Sequence, residues 1–317
     1  ESSSPKLYNK VQLTDFINLY QFDKEIRSIL SNCLDSVEEK LKASIAYHFC
    51  KHHCVSLTDT MQYTNKVHFM DPANNVPGTP TYCRYSNAYP FVGYQNQKIY
   101  HEFDKFCLFK PFFLSNLVDK NDHIDISFYF DSAYVAPSGV AVYRGSTGTY
   151  NKNVAVPFWV AIETLTFGEI LRLLHYLQDD VLKDVLNDFN LPLSKRAPFL
   201  NMIDILLCLR NNCAHTTLLN RFRTEKRYRI NTLLITSFSL TPKNADSVLK
   251  LYDSIKILSF FTDVTALRKP LKILKFKMYT NMGIKKGKTT YNKLLARMGC
   301  GDYKKWNTAL FKTKYFL

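Results

Sequence analysis

The sequence predicts a mainly α protein, a helical bundle interrupted by an irregular, aromatic-rich insertion with room for a short β-hairpin. Three observations carry that expectation. Apolar residues recur every three or four positions on both sides of the middle of the chain, prolines gather between those stretches, and glycine is sparse, with ten in 317 residues. From about Phe16 to Phe49, residues Phe22, Ile26, Ile29, Leu30, Cys33, Leu34, Val37, Leu41, Ile45 and Phe49 line one face of a long helix, or of two stacked ones. Asp23 with Arg27 and Glu38 with Lys42 are i,i+4 pairs, acid first, expected on its outer side. From about Val55 to Val156 the periodicity fails and Pro72, Pro77, Pro80, Pro90, Pro111 and Pro137 punctuate the chain. Within it, Ile124–Phe130 and Gly139–Tyr143 read as two short strands around a turn region at Ser132–Ser138.

Order returns at Pro157, a residue suited to a first helical turn, with Trp159, Ile162, Leu165, Ile170, Leu173, Leu174 and Leu177 at helical spacing and a break at Phe167-Gly168. Pro192 and Pro198 bracket a loop, and Pro198 opens a strongly apolar helix running through Leu200, Ile203, Leu206, Leu207 and Leu209 into Arg210. A further helix is expected over about Ala245–Phe261. The chain therefore divides into an N-terminal helical segment (1–54), the insertion (55–156), a second set of helices (157–263) and a basic C-terminal region (264–317). There is no internal repeat.

Apolar residues make up 46% of the chain, which places it among folded proteins, and no run approaches the length of apolar residues that a membrane helix needs. Eight cysteines without a repeated pair spacing suit a reducing compartment, so a cytoplasmic location is expected. The formal net charge of +15 is very uneven. From Val264 onward fourteen Lys and Arg face a single acid, Asp302, while residues 1–263 are almost neutral. Such a region attracts polyanions. With Phe276, Tyr279, Tyr291, Tyr303 and Trp306 interleaved it fits nucleic acid, where phosphate contacts and base stacking combine; the plainer reading is a solvated basic tail.

The sharpest local feature is Leu209-Arg210-Asn211-Asn212-Cys213-Ala214-His215, where an apolar helix abruptly offers a guanidinium, two amides and an imidazole. Residues five apart on a helix differ by about 140°, yet a long Arg and a His at the helix end can converge on one phosphate. Arg holds phosphate with parallel hydrogen bonds, and His exchanges protons near neutrality. RNA cleavage needs little more, because the ribose 2′-OH supplies the nucleophile. By spacing alone, an Arg and a His that cap carbonyls or form surface pairs are the commoner case.

Several segments together resemble the AbiD/AbiF abortive-infection family and the wider HEPN ribonuclease superfamily. Arg210-Asn-Asn-Cys-Ala-His215 is similar to the superfamily's Arg and His separated by four to six residues. Ile17-Asn-Leu-Tyr-Gln-Phe-Asp-Lys-Glu-Ile-Arg27 and Val37–Tyr47 resemble an early helix, Pro157-Phe-Trp-Val-Ala-Ile-Glu-Thr-Leu-Thr-Phe-Gly168 a second signature, Leu219-Asn-Arg221 the continuation of the catalytic helix, and Met298-Gly299 with Trp306 a C-terminal one. Thr216 stands where the family often has a second His, the insertion matches none of these family segments, and the chain starts at Glu1 without the family's preceding region, so residues upstream are expected.

The resemblance implies a HEPN-type helical bundle and a homodimer with paired motifs around the scissile phosphate. It makes His215 the general acid/base, Arg210 the stabiliser of the phosphorane and Asn211 its orienting neighbour. Glu163 is a supporting acid that could orient a basic partner from the site, and Asn220, Arg221 and Arg223 are candidate RNA contacts beside Lys285, Lys286 and Lys288 of the basic region. The implied function is a toxin-like, metal-independent endoribonuclease of phage defence, with RNA as substrate, a small structured RNA as regulatory partner, and no cofactor. The alternative is a non-catalytic RNA-binding module in a ribonucleoprotein complex.

Two other signals are set aside. His48, Cys50, His52, His53 and Cys54 are dense in potential metal ligands but lack a separated second pair; the plainer reading is a helix end with cysteines inward and histidines outward. Gly283-Ile-Lys-Lys-Gly-Lys-Thr289 is one residue short of a phosphate-binding P-loop and is counted with the basic region. Both functional readings predict that RNA affinity falls steeply between 50 and 200 mM salt, a loss on the order of a thousandfold for six or more phosphate contacts, measurable by filter binding.

Overall fold

In the computed structural model, which describes residues 12–71, 102–120, 124–215, 217–224, 230–311 and 315–317, the first periodic stretch is one unbroken helix, α1 (Leu13–His53). At 41 residues it runs roughly 60 Å and is the spine of the molecule. Phe22, Ile26, Leu30, Leu34, Val37, Leu41, Ile45 and Phe49 form its buried stripe. The expected punctuation at Pro72, Pro77, Pro80 and Pro90, together with Cys83 and Thr216, lies outside the described residues.

Among its described residues the insertion holds short 3-10 turns, a helix α2 (Phe113–Lys120) and a small antiparallel hairpin of β1 (Tyr143–Arg144) and β2 (Tyr150–Asn151). The hairpin is not where the sequence predicts it. Ile126–Tyr129 is a 3-10 turn because Asp125 caps it, its Oδ1 accepting from the Ser127 N–H at 2.9 Å and from the Ser127 hydroxyl at 2.7 Å. The strand pairing instead follows a turn in which Gly148 takes a φ of 82° and Gly145 N–H donates to Thr149 O.

After Pro157 come α3 (Phe158–Ala161), α4 (Phe167–Tyr176), α5 (Asp179–Asp188), α6 (Arg196–Ala214), α7 (Thr232–Ser237) and α8 (Leu251–Phe261). The expected break near Gly168 falls two residues earlier, at Thr166. Its hydroxyl accepts from Glu169 N–H while the Glu169 carboxylate accepts from Thr166 N–H, a capping box. The helix α5 lies in a stretch the periodicity leaves unread. Pro198 sits in the first turn of α6, and every residue from Pro198 to Leu209 is buried. The helix α1 packs on α3, α4, α5, α6 and α8 and on a later helix at Arg268–Met282, so the core is built around α1.

Both i,i+4 pairs of α1 point inward, a correction to their expected outer placement. Asp23 is 2% exposed, and Lys42, at 7%, bonds Glu38 at 3.0 Å and the Glu163 carbonyl at 3.1 Å. These positions flank the apolar stripe, and neighbouring segments cover them. The histidines do not face outward either. His48 and His52 meet the carboxylates of α5, with His48 Nε2 2.9 Å from Asp188 and His52 Nε2 3.0 Å from Asp184. Hydrogen bonds from His52 and Lys51 hold the Asp184 carboxyl below its ordinary range. Among the described residues no group of three potential ligands is arranged to hold a metal ion, and no helix is long and apolar enough to cross a membrane.

The basic region folds as three helices, α9 (Arg268–Met282), α10 (Ile284–Arg297) and α11 (Tyr303–Phe311). Its aromatics are mostly structural, a second correction. Tyr291 and Trp306 are fully buried, and only Phe276 is largely exposed among the five expected to stack on bases. Trp306 Nε1–H donates to Cys300 O at 2.6 Å, and Gly299, at φ 126°, lets the chain press against Tyr252. Gly287 is buried where α10 crosses α9, and a Cβ there would overlap the Met278 carbonyl and come within 2.8 Å of Tyr279 Cα. The glycine spacing that resembles a phosphate loop therefore serves helix packing. Replacing Gly287 with Ala should destabilise the fold by about 1–3 kcal/mol, because the overlap is with backbone that cannot rotate away; thermal unfolding of G287A measures it.

Candidate functional site

Arg210 lies just ahead of the last turn of α6 and His215 is its C-terminal cap residue. The helix is buried as far as Leu209, then turns to solvent: Arg210 is half-buried, Asn211 and His215 are exposed, and Cys213 points back into the core. Burial pushes the Cys213 thiol up to about 11, so it stays protonated and inert. The side chains of Arg210, Asn211 and His215 make no hydrogen bond or ion pair among the described residues. His215 N–H closes the helix on Asn211 O at 3.0 Å.

The turn that follows is stitched in place. Asn212 Nδ2–H donates back to Cys208 O at 2.9 Å, and the Thr217 hydroxyl donates to Asn212 O at 3.1 Å, so that a carbonyl of the last turn, which the helix leaves unpaired, is satisfied. From α1, Arg27 donates to Thr217 O at 2.6 Å and to Asp23 at 2.7 Å. Asp23 Oδ1 in turn accepts the Asn220 N–H at 3.3 Å, and the Leu219 N–H also stabilises that carboxylate. Burial nonetheless raises the Asp23 pKa, with the two backbone donors and Arg27 opposing it.

This polar brace is what the sequence reading missed. Asp23 and Arg27 are recognisable as a pair, but nothing local to α1 says that the pair reaches a turn nearly two hundred residues away.

The remaining predicted residues divide. Arg221 and Arg223 are exposed just beyond the brace, and their side chains have no acidic partner among the described residues. Asn220 is 1% exposed inside the brace, so it offers no RNA contact in this arrangement. Glu163 pairs with Lys42 at 3.5 Å and not with Arg210 or His215; its own side chain is largely exposed. Lys285, Lys286 and Lys288 are exposed on α10, which packs against the 3-10 turn Leu219–Arg221. The basic region thereby adjoins the segment that leaves the motif helix.

Removing Arg27 should cost roughly 1–3 kcal/mol and speed amide exchange at 217–220, since Asp23 would keep its burial and lose its cation. Denaturant unfolding and hydrogen exchange of R27A test this, and unchanged exchange in the turn would remove the brace from the account.

None of the curated proteins and none of the solved structures compared with the chain matches it. The model of one family, described as Abi-like protein, matches residues 2–220, a span that runs from before α1 through the braced turn and stops ahead of the basic helices. That is well over half of the chain, and it points to abortive infection and phage defence. The chain belongs to the Abi-like protein family.

Proposed function

We propose that the chain is a HEPN-type endoribonuclease of an abortive-infection system, cleaving RNA without a metal ion. The observation that carries this reading is that a half-buried Arg210 and an exposed Asn211 and His215 stand together, unpartnered among the described residues, at the end of a helix otherwise buried. A polar cluster serving only stability would be expected to cap carbonyls or pair with acids, and the neighbouring Asn212, Thr217 and Arg27 already do that work.

In the proposed reaction His215 takes the proton from a ribose 2′-OH, and that oxygen attacks the adjacent phosphorus. The bond to the 5′-oxygen breaks, that oxygen receives a proton, and the products are a 2′,3′-cyclic phosphate and a 5′-OH. Arg210 lies beside the phosphate and stabilises the charge that grows on its non-bridging oxygens. Asn211 fixes the phosphate or the guanidinium. A single imidazole cannot serve both faces of the phosphorus at once, which favours a homodimer whose second copy supplies the second imidazole. Regulation by a small structured RNA and confinement to the cytoplasm as a toxin-like protein belong to the same reading, with the cations of α10 as the grip.

Purified protein incubated with end-labelled RNA in EDTA tests it. Cleavage is expected in wild type. It should fall at least about a hundredfold in H215A and on the order of 10²–10³-fold in R210A, with RNA binding largely kept in H215A. Binding without cleavage by wild type at every protein concentration would make the chain a non-catalytic RNA-binding module instead.

A further inference from the structure

The insertion carries a second concentration of unpaired cations, far along the chain from the motif. Hairpin residues Arg144 and Tyr150 are cross-strand partners, and the guanidinium of Arg144 lies 5.3 Å from the ring centre of Phe112 and 5.7 Å from that of Tyr150. The tight turn through Gly145 and Gly148 brings the guanidinium over Gly148, where a Cβ would sit 3.7 Å from its terminal nitrogen. Both rings are open to solvent, Phe112 at 44% and Tyr150 at 63% exposure. Folding does not need that exposure, and burying either ring would have been favourable.

Beside this stack runs a groove of about 340 Å³ whose lining includes Lys110, Tyr150 and Lys152 and contains no carboxylate. Lys110, Arg144 and Lys152 are all exposed, and none forms an ion pair among the described residues. The walls between them are Pro111 and residues Gly139–Val142, and hydrogen bonds fix the segments that line the cleft. Ala141 N–H donates to the Thr64 hydroxyl at 2.8 Å, and Ala136 N–H to Lys152 O at 2.8 Å.

We propose that this hairpin and groove bind unpaired nucleotides of RNA, so that the insertion holds single-stranded segments of the RNA on which the chain acts. The inference rests on the reading of the chain as an RNA enzyme, but it stands on different residues. Exposed rings that can stack on a base, with cations spaced around a carboxylate-free groove, suit a flexible strand whose bases are free. A duplex offers its bases no such access, because they are already stacked on each other. An acidic peptide would satisfy the lysines and leave the rings unused.

The experiment uses the full chain carrying H215A, so that binding is read without cleavage, and compares a labelled 12-nucleotide oligouridylate with a 12-base-pair RNA duplex by fluorescence anisotropy. The variant F112A/Y150A should raise the Kd for the single strand about tenfold or more and change the duplex Kd less than twofold. Adding K110A/K152A should weaken the single strand further and flatten its salt dependence. Photocrosslinking of 4-thiouridine-substituted oligomer to Tyr150 or Phe112 provides a readout that does not depend on the variants folding. Equal losses for both RNAs, no loss for either, or crosslinks confined to α10 would overturn the hairpin site while leaving the enzyme reading intact. Failure of the H215A parent to bind any RNA would overturn both, and an acidic peptide competing as well as oligouridylate would overturn the choice of ligand.

Discussion

The bond on which the candidate site depends is the one from Arg27 to the carbonyl of Thr217, made while the same guanidinium holds Asp23. The helix α6 must be buried along its length and yet deliver its last turn to solvent. The chain that leaves such a helix has backbone donors and acceptors that neither helix nor sheet can satisfy, and burying them unpaired would be costly. Asp23 and Arg27 solve this from α1, the carboxylate taking N–H groups of 219 and 220 and the guanidinium taking a carbonyl. The raised pKa of Asp23 shows that desolvation works against the arrangement. The pair stands there because it fixes a direction, since a buried ion pair seldom adds stability over apolar packing.

The helices were largely legible: α1 carries the 3.6 period that burial on one face forces, while α6 and α8, buried nearly all round, stand out as long apolar runs. What remained hidden was set by partners distant in sequence. An i,i+4 acid–base pair looks the same whether its flank of the helix meets water or another segment, so the inward turn of Asp23 and Lys42 could not be read from α1 alone. The same holds for Asn220, which sits in a 3-10 turn with no period to betray its burial. Arg210 and His215 were visible for the opposite reason: polar side chains that interrupt a long apolar helix at its end need no distant information to stand out.

In the basic region the count of aromatics was misleading. Three helices laid on the outside of a bundle must supply their own apolar contacts. Tyr291, Leu295, Met298 and Trp306 do so, leaving lysines on the outward faces as ordinary amphipathic patterning requires. Gly287 belongs to the same logic, for a glycine inside a helix of this kind marks a close crossing more often than a ligand loop.

Where the acids go explains where the positive field emerges. Asp179 pairs with Arg196, Asp184 and Asp188 with the histidines and lysine at the end of α1, Glu38 and Glu163 with Lys42, and Asp23 with Arg27. Most of these pairs tie α1 to the elements around it, so much of the negative charge is spent within or between packed helices, where partner cations cancel it at short range. Cations that form no ion pair among the described residues include Arg210, Arg221 and Arg223 near the motif, Lys285 and Lys288 on α10, and Arg144 with Lys110 and Lys152 in the insertion. A cation without a neighbouring acid keeps its full attraction for a polyanion, whereas one already paired contributes little beyond a Debye length of about 8 Å. The net charge of +15 therefore understates the local asymmetry, because cations at the motif, on the adjoining helix and on the insertion stand apart from the ion pairs that tie α1 to its neighbours.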